Sequence, residues 1–129
     1  MNEDKTELIS LENLPPQIQV AVSAAQEKKA EDVLILSLAA ISSFTDYFVI
    51  MHGHSGRQLN ALCDGIERSL RKERVKPLSI EGQKNAEWIL MDYGNFIIHI
   101  FTKEKRDYYS LERLWADVPK LNIPADEKS

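Results

Sequence analysis

The succession of helical and strand patterns along these 129 residues predicts an α/β (α+β) fold, a single mixed β-sheet of about five strands flanked by helices. Three observations carry this. Ser55 to about Glu73 repeats apolar residues at helical spacing, short β-branched runs lie on both sides of it, and 43% hydrophobic residues are enough for one core. Residues 1–13 are polar and acidic and are expected to be a flexible segment, 14–118 to be the domain, and 119–129, with Pro124 and a charged end, to be a flexible tail.

Within the domain, Asn13 is expected to cap a first helix that Pro15 and Pro16 start, with Ile18, Ala21, Val22 and Ala25 on one face. Asp32–Leu38 and Asp46–His52 are apolar runs too short for helices, and read as strands joined by a polar turn at Ser42 and Ser43. Ser55 followed by Gln58 fits a capping box, and Leu59, Leu62, Cys63, Ile66 and Leu70 then form one apolar stripe. That stripe makes Cys63 a buried thiol rather than a reactive one. After Pro77, the segment LSIEG is a short strand, and 88–101 splits at Tyr93, Gly94 and Asn95 into a hairpin. A last helix is expected from Lys105 or Tyr108 to Ala116.

The hairpin is the most informative segment because side chains alternate across a strand. Ile89 and Met91 share a face with Phe96, Ile98 and Ile100, which is wholly apolar and reads as core. Trp88, Leu90 and Asp92 share the other with Ile97, His99 and Phe101. A tryptophan and large aliphatics mixed with a carboxylate and an imidazole resemble the centre and rim of a protein-binding patch; the alternative is that a terminal helix covers this face and leaves the polar groups at its edge.

Other function classes fare less well. Sixteen Lys and Arg against twenty Asp and Glu give a net charge of −4, the wrong sign for holding phosphate backbones. A single cysteine fits a reducing compartment, with cytoplasm as the working expectation. The amino terminus has neither a basic start nor an apolar run, so neither export nor membrane insertion is expected. The competing reading is an enzyme of the nucleotidyltransferase or metal-binding kind. No two acidic residues are spaced by two, as metal-holding carboxylates on one strand would be, although Asp46 and Asp92 could meet from separate strands. His52 and His54 have ligand spacing, with His99 as a third zinc donor, but such pairs are more often turn residues. Gly53, His54, Ser55 and Gly56 lack the ending of a P-loop. The cations Arg68, Arg71, Lys72, Arg74 and Lys76 suit the helix C-terminus they flank; such a run is usually only a solvated face, and is otherwise a candidate for a peripheral contact with RNA.

As a set, five segments resemble the Iojap-like ribosomal silencing factors: SSFTDYFVI (42–50), GHSGRQ (53–58), IEG (80–82), WILMDYGNFIIHIF (88–101) and RDYYSLERLW (106–115). Order and spacing agree, and the resemblance covers about Ala25 to Ala116. It implies a nucleotidyltransferase-like fold without catalytic carboxylates or cofactor. It also implies a translational repressor that binds the large ribosomal subunit through ribosomal protein uL14 and sterically blocks small-subunit joining when nutrients are short. A homodimer of the free protein is compatible with it. On this reading Glu81 and Asp92 pair with charges of the partner, Trp88, Leu90 and Tyr93 are apolar anchors, and His99 tunes the patch by hydrogen bonding. Asp46 and Ser55 brace turns, Arg106 pairs with a carboxylate, and Tyr109, Leu111, Leu114 and Trp115 dock the last helix. Asn95 stands where aspartate is common, which removes one charge from the acidic patch, and Thr45 where alanine is common.

Overall fold

The computed structural model describes residues 9–124, so the expectations for 1–8 and 125–129 lie outside the described residues. A 3₁₀ turn, Leu11–Asn13, leads into helix α1, Pro16–Glu27. No side chain caps this helix, which corrects the expected Asn13 cap. Pro15 and Pro16 start it by fixing φ, and the Asn13 N–H closes the preceding turn on the Ser10 carbonyl. Ile18, Ala21, Val22 and Ala25 are buried on its inner face, as their spacing predicts.

Strands β1, Glu31–Ser37, and β2, Tyr47–Gly53, pair antiparallel. Ser42 Oγ braces the turn between them by accepting the N–H groups of Phe44 (3.2 Å) and Thr45 (3.4 Å). Helix α2, Gly56–Lys72, begins where Ser55 Oγ accepts the Gln58 N–H at 3.2 Å. Gln58 Oε1 accepts from the N–H of His54 at 2.6 Å, one residue upstream of the donor a regular capping box would use. Then follow β3, Ser79–Glu81, β4, Trp88–Asp92, β5, Phe96–Thr102, α3, Lys103–Tyr109, α4, Leu111–Leu114, and β6, Lys120–Asn122.

The sheet runs β3-β4-β5-β2-β1-β6, with β2 and β5 parallel and every other neighbouring pair antiparallel. It has six strands where about five were expected. The sixth, β6, comes from the segment expected to be a flexible tail: Leu121 pairs with Ile35, and the Ile123 N–H donates to Val33 O at 2.9 Å. Three residues with a single apolar side chain carry no periodic signal, and it is the open edge of β1 that orders them. The last helix is likewise two short helices, broken at Ser110, whose φ of +44° lies in the left-handed region.

Both faces of the sheet carry helices. Under α1 and α2, Ile18, Leu59, Leu62, Ile66 and Leu70 pack on Ile35, Val49, Met51, Ile98 and Ile100, all with no measurable exposure. Cys63 belongs to this cluster, and burial pushes its thiol up to about 12. The opposite face carries a smaller cluster of Leu34, Leu36, Leu38, Phe48, Ile50, Ile97, Phe101 and Val118, on which Trp88, Leu90, Leu111 and Trp115 lean. Leu111 and Trp115 thus dock α4 as expected, but Leu114 does not, being 72% exposed.

Candidate protein-docking interface

Strands β4 and β5 pair with Asp92 opposite Ile97 and Trp88 opposite Phe101, which keeps the two predicted faces intact. Ile89, Met91, Phe96, Ile98 and Ile100 are all buried under α1 and α2. The mixed face lies under α3 and α4, whose cover is partial, so Trp88, Leu90 and Asp92 are half-buried along its rim.

Glu81 is exposed on β3 and pairs with Leu90. Glu81, Gly82, Trp88 and Leu90 line an open hollow of about 300 Å³. Gly82 has φ +92°, and a Cβ there would stand 2.0 Å from the Trp88 carbonyl oxygen. Only glycine lets the chain after β3 pass this close to β4, and this contact brings Glu81 and Trp88 to one hollow.

Two of the expected site residues are internal. Tyr93 is 8% exposed and stacks on Phe96, with centroids 5.0 Å apart, beneath the helices α1 and α2. It shares parity with Met91 and so points away from the mixed face; burial drives its phenol well above the ordinary range. His99 is 4% exposed because β5 is a central strand covered on both sides. Its Nδ1 accepts the Trp88 indole N–H at 3.1 Å, and Phe48 packs edge-on at 4.6 Å. Desolvation lowers its pKa to about 4, so the ring is neutral at pH 7. It acts on the face from beneath, by fixing the indole. Asp92 also has an internal partner: Oδ1 accepts the Gly94 N–H at 2.8 Å and braces the hairpin turn.

The accessible part of the face extends onto residues that strand alternation could not assign to it. Tyr109 packs on Trp88 at 4.6 Å and is 42% exposed, Tyr108 meets Tyr109 edge-on at 5.0 Å, and Phe44 reaches Phe48 at 6.4 Å. With Leu114, these give a surface rich in tyrosine, tryptophan and phenylalanine beside the Glu81 carboxylate, the composition of a protein interface rather than of a solvated surface. The excess of exposed aromatic residues in RDYYSLERLW is the sequence signal that marks it.

The geometry for chemistry is poorer. Among the described residues no group of three or more His, Cys, Asp or Glu side chains is placed to hold a metal ion. His52 and His54 do converge, but on one carboxylate: His52 Nε2 lies 3.2 Å from Glu31 Oε1 and His54 Nε2 2.8 Å from Glu31 Oε2. Phe48, Ile97 and Asp92 stand side by side on successive strands, so the Asp46 end of β2 and Asp92 are separated by the width of β5, at least about 10 Å between backbones. Arg106, 7% exposed, donates from Nε to Glu112 Oε2 (3.0 Å) and from one terminal nitrogen to the Asp32 carbonyl (2.7 Å), and lies 3.0 Å from His52 Nδ1. It pairs with a carboxylate as expected, and also ties α3 and α4 to β1 and β2.

Residues 11–129 match the model of a family described as ribosomal silencing factor during starvation. The chain belongs to this family. It is 38% identical to ribosomal silencing factor RsfS of Bacillus subtilis over 106 residues, covering 82% of this chain and 90% of the relative. Similarity reaches eukaryotes: the mouse protein named mitochondrial assembly of ribosomal large subunit protein 1 is 34% identical over 76% of this chain, which spans 44% of that protein. A crystal structure from Bacillus halodurans matches with TM-score 0.72 and 36% identity, covering 82% of this chain and 96% of the other. The family is named for a regulatory role and not for a reaction. No helix among the described residues is long and apolar enough to cross a membrane.

Proposed function

We propose that this chain represses translation in the cytoplasm by docking on the large ribosomal subunit through protein uL14, so that the small subunit cannot join when nutrients are short. The observation that carries this reading is the partly covered aromatic face beside Glu81, in a member of the silencing-factor family. Steric exclusion needs no chemistry; it needs a rigid body held where the other subunit would sit, with an affinity that competes with subunit joining. Trp88, Leu90 and Tyr109 are the apolar anchors, and Glu81 meets a basic group of the partner at the rim. Asp92, Tyr93 and His99 contribute indirectly, by bracing the turn, filling the core and fixing the indole. Arg68, Lys72, Arg74 and Lys76, exposed around the end of α2 beside Arg71, which pairs with Glu67 at 2.7 Å, supply at most a peripheral phosphate contact.

Co-sedimentation with purified large subunits, followed by addition of small subunits, tests the reading. The wild-type protein pellets with large subunits and suppresses joining. A Glu81→Lys, Leu90→Ala double variant keeps its fold by circular dichroism and loses both. Failure of the wild type to pellet overturns the proposal, and equal binding by the variant moves the docking face elsewhere.

A further inference from the structure

We propose that His52 and Arg106 form an acid-sensitive clamp that holds α3 and α4 on the sheet and thereby sets the geometry of the aromatic face. The link to docking rests on the function proposed above; the clamp itself does not.

Arg106 is a buried guanidinium with acceptors from three separate elements: the Asp32 carbonyl on β1, His52 Nδ1 on β2 and the Glu112 carboxylate on α4. Two of these are aimed by unusual backbone. Asp32 has φ +47° and sits in the irregularity of the β1–β2 register between Glu31 and Leu34, which turns its carbonyl out of the ladder and towards Arg106. Ser110, at φ +44°, turns the chain between α3 and α4 so that Glu112 comes back to a residue six positions earlier. Two strained non-glycine residues pointing acceptors at one side chain mark a device that the fold holds in place.

The guanidinium has donors only, so His52 Nδ1 must accept and the proton of the neutral ring lies on Nε2, facing Glu31 Oε1 at 3.2 Å. A second proton can enter only at Nδ1, the atom 3.0 Å from Arg106. Protonation then sets donor against donor and cation against cation. The titratable and charged groups around His52 are Glu31 and Asp32 from β1, Arg106 and Lys103 from α3 and, through Arg106 and Glu31 respectively, Glu112 and His54. Burial and Arg106 lower the His52 pKa below 6.5, and Asp32 and Glu31 only partly oppose them. The clamp is therefore at full strength above about pH 6.5, and it weakens as pH falls from there towards the lower value of the folded state. The limit is about tenfold in the opening equilibrium per pH unit. What opens is the segment that carries Tyr109, Leu111 and Trp115 onto Trp88 and its neighbours.

Hydrogen exchange of the free full-length chain, corrected for intrinsic rates, tests this between pH 7.5 and 5.5. Protection of the amides at 103–114 is expected to fall up to tenfold per unit below pH 6.5, while α2 amides fall less and the His52 imidazole resonance of the folded chain titrates below pH 6.5. His52→Asn, whose Oδ1 can still accept from Arg106 but takes no proton, is expected to remove the step, and His54→Ala to keep it. The proposal is overturned by unchanged protection at pH 5.5, by a step that survives in His52→Asn or disappears in His54→Ala, or by a His52 ring that titrates at or above pH 6.5 in the folded chain. The last readout uses wild type alone and holds even if a variant fails to fold. Co-sedimentation with large subunits at both pH values reads the consequence: wild-type binding weakens at pH 5.5 and that of His52→Asn does not. Absence of wild-type binding at pH 7.5 would defeat the docking function and leave the exchange result to decide the clamp.

Discussion

The two faces of the sheet are built from the same strands and finished in different ways. One is sealed by helices of twelve and seventeen residues, and its contacts are mostly aliphatic, with the stacked Tyr93 and Phe96 rings among them, and without charge. The other receives helices of seven and four residues, too short to cover it, and its gaps are filled by aromatic rings, two buried histidines and a buried arginine. The first face holds the molecule together. The second gives up burial to leave rings at the surface, and polar groups beneath them fix ring positions that packing alone would leave free.

The largest expected effect lies on the sealed face. Leu62→Ala removes a fully buried side chain from between α2 and the sheet and should cost about 2–5 kcal/mol in urea unfolding. A loss below about 1 kcal/mol would mean that this face is no better packed than the other. Next comes acid. His99 has a folded pKa of about 4 against about 6.5 in the unfolded chain, so its stabilising share is complete above pH 6.5 and is lost as pH falls towards 4. That difference corresponds to an upper limit of about 3 kcal/mol. His99→Asn should flatten the stability profile in this range, and an unchanged slope would show that the histidine is not buried as described.

Trp88→Phe sharpens the comparison on the open face. The ring stays, but the N–H to His99 Nδ1 is lost, and the expected cost is about 1 kcal/mol, read from the same urea curves. The smallest effect belongs to Leu114→Asp, within about 0.5 kcal/mol of wild type, because the side chain is already in water. A measurable loss of large-subunit binding by Leu114→Asp at unchanged stability would separate docking from folding, and place α4 in the interface.

How much of this was legible in the sequence depends on the range of the interaction involved. Helix α2 and the hairpin follow from periodicity and a cap, which are local, and both appear with their predicted faces. Tyr93 was placed in the hairpin turn and given no face; alternation runs on through it from Met91, so its resemblance-based role as a surface anchor ran against its own parity. His99 was placed on the correct face, but its burial depends on β5 being central, and strand order has no local signature. The same holds for β6, ordered only by the edge of β1. Arg106 was expected to find a carboxylate, but its neighbours Asp32 and His52 lie 74 and 54 residues away, brought together by the crossover that makes β2 and β5 parallel.

Cys63 gives the sealed face a clock of its own. Its thiol lies in the stripe of α2 and ionises only near pH 12, so at neutral pH an alkylating reagent finds neither access nor thiolate while the face is closed. Each labelled molecule therefore records one excursion in which α2 left the sheet. Ageing the protein in such a reagent accumulates label in proportion to the time α2 spends away from the sheet, undisturbed by whatever α3 and α4 do on the far side.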